Sequence, residues 1–218
     1  MIDFRLYVIT DRHRCAPTPL IEVISELLDA GVTVIQLREK DLNSDELMRL
    51  AQPIADLCRN YKAKLFVNTD IRVAATVGAA GVHLPANAAS VSSVKTQMGA
   101  DFSIGCSVHT FAEAGKRETE GADFLTYSPI YLTASKPGYG PAVGVENLTK
   151  LVGRVKLPVF ALGGITPARA SECLSAGAFG VAVMSGVMAP KNAGKQTKRF
   201  FTTESELLRP LSLQVSDR

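Results

Sequence analysis

Short runs of β-branched and aromatic residues alternate along this chain with longer stretches in which apolar positions recur every three to four residues. The runs are residues 5–10, 32–37, 64–67, 81–84, 102–107, 124–128, 158–162 and 180–184. Helical patterns separate most of them, and this alternation predicts a parallel sheet. Eight such units within 218 residues predict closure into a single-domain (βα)8 barrel of the TIM type. The competing arrangement, an open doubly wound sheet, lacks a G-x-G-x-x-G turn after the first run.

A weak internal repeat supports the barrel. Gly31-Val-Thr-Val-Ile35, Gly78-Ala-Ala-Gly-Val82, Gly121-Ala-Asp-Phe-Leu125 and Gly177-Ala-Phe-Gly-Val181 each close a helical stretch and open a β run. Each interval holds two β runs, so the repeating unit is a pair of βα units used four times. The longest interval contains Pro129 to Pro141, rich in Ser, Pro, Gly and Tyr, and predicts a lid over the catalytic face. Residues 187–200 are polar and basic with little helical periodicity. Beyond them Thr203-Glu-Ser-Glu206 before Leu207-Leu208, with Pro210 as a stop, predicts a short last helix. The expected layout is a barrel over 1–190 and an irregular tail over 191–218 carrying that helix.

Composition narrows the class. The chain is 46% apolar, enough for a substantial core, but no apolar run approaches the ~18 residues of a membrane span. Met1-Ile-Asp-Phe-Arg5 lacks a signal-peptide pattern, and Cys15, Cys58, Cys106 and Cys173 show no C-x-x-C or metal spacing. Reduced thiols and a cytoplasmic location are expected. A net charge of +3, with acids and bases mixed, argues against nucleic acid as a partner and suits an anionic small molecule. The basic cluster from Lys191 to Arg199 reads as a solvated tail segment.

The strongest chemical signal is Ala161-Leu-Gly-Gly-Ile-Thr-Pro167 together with Val181-Ala-Val-Met-Ser-Gly186. Both are apolar β runs that end in small residues. Glycines at a strand end allow backbone N–H groups to approach a ligand, and Thr166-Pro167 reads as N-cap and first helical residue. Paired at the last two strands of a barrel, they predict a phosphate site. Other strand ends carry polar groups: Gln36-Leu-Arg-Glu-Lys40, Asn68-Thr-Asp70, His83-Leu-Pro85, Ser107-Val-His109, and Lys136 in the lid segment. Gln36, Arg38 and Lys40 share one face of an extended chain, and a guanidinium with an ammonium suits phosphate oxygens; a surface strand end with a Glu39 ion pair is the plainer alternative. His109 is placed to carry a proton or to serve structurally. His83, inside an apolar run, reads as a satisfied core histidine, and His13 carries no signal. The histidines have no zinc spacing.

Taken together these pieces resemble the thiamine phosphate synthase / thiazole tautomerase family. The matching strings are Leu6-Tyr-Val-Ile-Thr-Asp11, Val34-Ile-Gln-Leu-Arg-Glu-Lys-Asp41, Phe66-Val-Asn68, Gly81-Val-His-Leu84 and Ile104-Gly-Cys-Ser-Val-His-Thr110. Further along they are Ser128-Pro-Ile-Tyr131 with Thr133-Ala-Ser-Lys136, Ala161-Leu-Gly-Gly-Ile165 and Ala182-Val-Met-Ser185. They keep family order over roughly residues 5–188. The resemblance implies a (βα)8 barrel whose copies often pair. Its synthase branch joins a hydroxymethylpyrimidine diphosphate to a thiazole phosphate and releases diphosphate. It puts Gln36, Arg38, Lys40, Asn68 and Lys136 around the diphosphate, Ser107 in the pyrimidine and diphosphate pocket, and Gly163, Gly164, Val183, Met184 and Ser185 around the thiazole phosphate.

The sequence departs from the synthase pattern at its Mg2+ ligands. Thr69 and Ala88 stand where the synthase carries carboxylates, and Mg2+ prefers carboxylate oxygens. The tautomerase branch lacks this metal site, keeps the thiazole phosphate pocket and uses a histidine at the position of His109 to shift a proton. The expectation is therefore an isomerase of the tautomerase type, with His109 catalytic, no metal and no cofactor. The alternatives are the synthase, a transferase that would need Mg2+, and a non-catalytic phosphate-ligand binding protein.

Overall fold

The computed structural model describes residues 1–88, 90–99, 101–132, 141–188 and 192–201. Eight parallel strands close in chain order: β1 (Leu6–Ile9), β2 (Val34–Leu37), β3 (Lys64–Asn68), β4 (Gly81–Leu84), β5 (Ser103–Val108), β6 (Phe124–Tyr127), β7 (Val159–Leu162) and β8 (Gly180–Val183). The seam pairs β1 with β8, Leu6 opposite Val181. Each lies within two residues of an apolar run. The helices are α1 (Arg12–Cys15), α2 (Leu20–Asp29), α3 (Ser44–Asn60), α4 (Ile71–Thr76), α5 (Val91–Met98), α6 (Phe111–Thr119), α7 (Gly144–Val152), α8 (Pro167–Ser175) and α9 (Ala193–Lys198). None is long and apolar enough to cross a membrane.

Local signals explain the element boundaries. Asn43 and Thr110 each form a reciprocal cap with the glutamate three residues on, Glu46 and Glu113, at the starts of α3 and α6. Thr166 caps α8 by accepting from the Arg169 amide, with Pro167 as first helical residue. The four repeat glycines fall just past the ends of α2, α4, α6 and α8, where the backbone turns left-handed.

The barrel interior is filled from its lower end by aromatic rings. Phe4, Tyr7, Phe66, Phe124 and Phe160 are almost fully buried and pack with ring centroids 5.3–6.1 Å apart. Neighbouring strands make room for them with glycine. A Cβ at Gly81 would lie 2.6 Å from the Phe66 ring, and one at Gly180 would lie 2.8 Å from that of Phe160. A second apolar layer fills the space between the strands and the helices.

Two expectations about loops and tail meet the structure differently. The start of the lid segment is pinned to the end of β7: the Ile130 and Tyr131 amides donate to the Leu162 and Gly163 carbonyls at 2.9 and 3.1 Å. Residues 133–140, including Lys136, lie outside the described residues, as does the short helix expected near 203–210. Residues 193–201, expected to be irregular, are instead helical: α9 is followed by a 3-10 turn, Arg199–Phe201. Ala193, Thr197 and Phe200 are buried there, and Gly194 lets α9 approach the Glu26 carbonyl of α2. Within α9 itself only Ala193 and Thr197 are buried, too few to show as a periodic pattern in sequence.

Candidate active site

The C-terminal ends of the strands surround a cavity of about 680 Å³. Its wall includes Gln36, Arg38, Lys40, Asn68, Ser107 and His109 on one side, and Gly163, Gly164, Val183, Met184 and Ser185 on the other. Every candidate from the sequence except Lys136 therefore meets at one place. Arg169, Thr126 and Ser128 also line it without having been singled out from sequence, and so do Asn87 and His83, the latter read from sequence as a core histidine. Arg169 sits in the first turn of α8, behind a recognisable cap. His83 has the spacing of a core residue and is both buried and part of the cavity floor.

The cationic wall is held by what lies behind it. Glu39, between Arg38 and Lys40, turns away from the cavity and is buried. It accepts from the Thr10 hydroxyl at 2.6 Å and from the amide and guanidinium of Arg12. The Arg38 amide donates to the same Thr10 oxygen at 2.9 Å. The alternation continued past the end of β2 thus separates a structural glutamate from two cations that face the cavity. Burial, with help from the charge of Arg38, lowers the pKa of Lys40 below the ordinary lysine value.

The opposite wall is built on backbone shape. Gly163 and Gly164 follow β7 with φ of +100° and +66°. The close approach comes from the lid side. A Cβ at Gly163 would meet Pro129 Cα at 2.8 Å, and one at Gly164 would meet Tyr131 Cβ at 2.9 Å. The glycine pair is thus required where β7 passes beneath the chain after β6, in addition to any role toward a ligand. The Arg169 guanidinium donates to the Gly164 carbonyl at 2.8 Å and lies 4.4 Å from the centre of the Tyr131 ring, tying this corner together.

His109 Nδ1 lies 2.8 Å from the Ser128 carbonyl oxygen, so in the neutral ring Nδ1 carries the proton and Nε2 is the basic nitrogen. The loop after β4 is stapled from below. Arg117, almost fully buried, donates to the carbonyls of Pro85, Ala86 and Ala88 and pairs with Glu120 at 2.7 Å.

The residues do not fit a Mg2+ ion of the family kind. No Asp or Glu lines the cavity among the described residues, and no cluster of three or more His, Cys, Asp or Glu side chains occurs there. Asp70 is used elsewhere: its carboxylate caps α4 at the Val73 amide and accepts from the Ser44 hydroxyl at 2.5 Å. Thr69 adopts φ +67°, and its hydroxyl accepts from the Asn68 amide group at 2.9 Å. Ala88 offers no donor atom, and its side chain packs against the core.

A (βα)8 barrel with a cationic cavity at the C-terminal ends of its strands, lined by no carboxylate among the described residues, has the architecture of enzymes that act on small anionic molecules. Residues 6–187 match the family model described as thiamine monophosphate synthase, and the chain belongs to that family. It is 40% identical over 188 residues to a putative thiamine-phosphate synthase of Geobacter sulfurreducens, covering 86% of this chain and 88% of the other. It is 37% identical over 199 residues to a thiamine-phosphate synthase of Methanospirillum hungatei, covering 91% and 97%. A solved thiamine phosphate pyrophosphorylase from Pyrococcus furiosus superposes with a TM-score of 0.84 at 35% identity, covering 94% of this chain and 97% of that one. These names favour the synthase alternative over the tautomerase expectation.

Proposed function

We propose that this chain works in thiamine biosynthesis as an enzyme on a thiazole phosphate. We read its reaction as the one its relatives are named for, the joining of a hydroxymethylpyrimidine diphosphate to that thiazole with release of diphosphate. The observation that carries the substrate class is the charge of the cavity: Arg38, Lys40 and Arg169 line it, and no carboxylate does among the described residues. The thiazole phosphate belongs at Gly163, Gly164 and Ser185, and the diphosphate at Gln36, Arg38, Lys40 and Asn68. In the joining step the thiazole nitrogen forms a bond to the pyrimidine's methylene carbon while the carbon–oxygen bond to diphosphate breaks. The electron pair leaves on diphosphate, and Arg38 and Lys40 are this chain's groups to meet that charge.

A second reading is favoured by a specific observation. With no carboxylate for Mg2+ among the described lining residues and His109 on the wall with Nε2 as its basic nitrogen, the site also suits a proton shift on a thiazole carboxylate phosphate. One experiment separates the readings: purified protein is given each substrate set, with Mg2+ and with a chelator. The expected result is thiamine phosphate with one equivalent of diphosphate, at a rate ordinary for enzymes, ~1 s⁻¹ or more. Isomerised thiazole without diphosphate release, unaffected by chelator, would replace this reading by the second. Tight binding of thiazole phosphate with no turnover in either assay would leave a non-catalytic ligand-binding protein.

A further inference from the structure

Between the aromatic floor and the cavity runs a row of hydrogen-bonded side chains from five strands. Gln36 Nε2 donates to the Tyr7 hydroxyl at 3.0 Å, and that hydroxyl lies 3.4 Å from His83 Nδ1. On the far side of the ring, His83 Nε2 lies 3.0 Å from Ser107 Oγ and 3.3 Å from Thr126 Oγ1, and the Thr126 hydroxyl is 3.4 Å from Ser107 Oγ. Tyr7 and Thr126 are fully buried, and Gln36 and His83 almost so.

The row has a direction. Gln36 donates to the Tyr7 oxygen, so the one hydrogen of Tyr7 needs another acceptor. Leaving a buried hydroxyl hydrogen unpaired costs about 1–3 kcal/mol, and His83 Nδ1 is the acceptor within reach. A neutral imidazole carries a single N–H, so the proton sits on Nε2 and is directed at Ser107. Burial, with a smaller push from the Arg38 charge, takes the His83 pKa down to about 3, which keeps the ring neutral. Ser107 Oγ then accepts from His83 and from Thr126, and its own hydrogen is left for the cavity.

We infer that His83 is a positioning residue: Tyr7 fixes its Nε2–H tautomer, and that tautomer commits Ser107 to donate a hydrogen bond to an acceptor atom of the ligand. The ligand class this selects presents an anionic oxygen or a lone-pair nitrogen to the β5 wall and is rejected if it presents an N–H there. The link to a ligand rests on the functional reading above, whereas the tautomer does not.

The test begins without ligand. Protein labelled with 15N-histidine is examined by long-range 1H–15N correlation, with His83→Gln used to assign the His83 signals. The expected pattern is an Nε2–H imidazole that does not titrate from about pH 5 to about pH 8, the range in which an ordinary histidine does. Tyr7→Phe keeps the ring and removes the hydroxyl; it should move His83 toward a mixture of tautomers and weaken binding of inorganic diphosphate by about two- to threefold, in proportion to the share of the Nε2–H ring that is lost. Ser107→Ala should weaken diphosphate about tenfold, the worth of one hydrogen bond. The double variant should be no weaker than Ser107→Ala alone, because Tyr7 acts only through Ser107. An Nδ1–H ring in the unsubstituted protein, a His83 that titrates in that range, or losses that add in the double variant would each overturn the inference. If the unsubstituted protein does not bind diphosphate at all, the functional reading fails, and the tautomer still decides this one.

Discussion

Along β6 and just past its end, Phe124 belongs to the aromatic floor, Thr126 to the polar row above it and Ser128 to the cavity wall, each two residues after the last. The same step occurs in β5, from Gly105 beneath the Phe124 ring to Ser107 and then His109, and in β3, from Phe66 to Asn68. Alternate residues of a strand share a face, so one inward-facing register holds both a dry packing problem and a wet chemical one. The two halves solve them differently. The floor is set by volume, with rings fitted over glycines of the next strand. The mouth is set by the direction of hydrogen bonds and by positive charge that no carboxylate among the described lining residues faces. A change among the phenylalanines of the floor should therefore act on stability and leave the chemistry of the surviving folded protein alone; Tyr7, whose hydroxyl enters the polar row, belongs to both. A change in the mouth should do the reverse.

The largest expected effect tests the floor. Phe124→Ala removes a ring that touches Phe4, Tyr7, Phe66 and Phe160 and should cost about 3–5 kcal/mol of folding free energy. Urea unfolding would measure it. A loss below about 1 kcal/mol would mean that the rings above collapse into the space and that the floor is not set by volume.

Next in size is His109→Asn at the mouth. Under the second functional reading, proton transfer should slow by at least about 100-fold while thiazole phosphate binding stays within a few-fold, since positioned acid/base groups contribute ~100- to 10,000-fold. Under the joining reaction, turnover should stay within a few-fold. Steady-state rates and equilibrium binding on the same preparation tell these apart, and a melting curve should be nearly unchanged in both cases.

The combined change Thr69→Asp with Ala88→Asp adds carboxylates at the two positions where the synthase pattern carries them, next to the cavity-lining Asn68 and Asn87 but not themselves on its wall. Position 69 has a positive φ, which a β-branched residue adopts reluctantly and an aspartate more easily, so the fold should tolerate it. Affinity for Mg2+, followed by calorimetry in the presence of diphosphate, should rise about tenfold, roughly one added charged ligand. An unchanged affinity would mean that neither position 69 nor position 88 can turn a carboxylate toward the diphosphate.

The smallest effect is in pH. Lys40 has its pKa lowered, first by burial and then by Arg38, so it sheds its proton at a lower pH than an ordinary lysine. Deprotonation removes positive charge from the wall, so diphosphate affinity should fall by a few-fold as pH rises, starting below the usual lysine range. Lys40→Arg should flatten the profile, because guanidinium stays charged. A wild-type profile that is already flat would place the anion away from Lys40.

The sequence by itself determined the architecture and the family. The eight apolar runs, the glycines at the helix ends and the cap at Thr166-Pro167 are local signals, and local signals survive in a one-dimensional reading. The candidate site residues were also legible, because a parallel barrel sends every strand end to the same face. Three things waited for the tertiary structure. The glycine pair after β7 is required by Pro129 and Tyr131, which come from a different strand's loop. The helix at 193–198 exists because α2 offers it a surface. His83 looked like a core histidine from its neighbours in sequence, yet its partners are Tyr7, Ser107 and Thr126 on three other strands. A hydrogen-bond direction is a property of partners, and partners far apart in the chain are chosen only when the barrel closes.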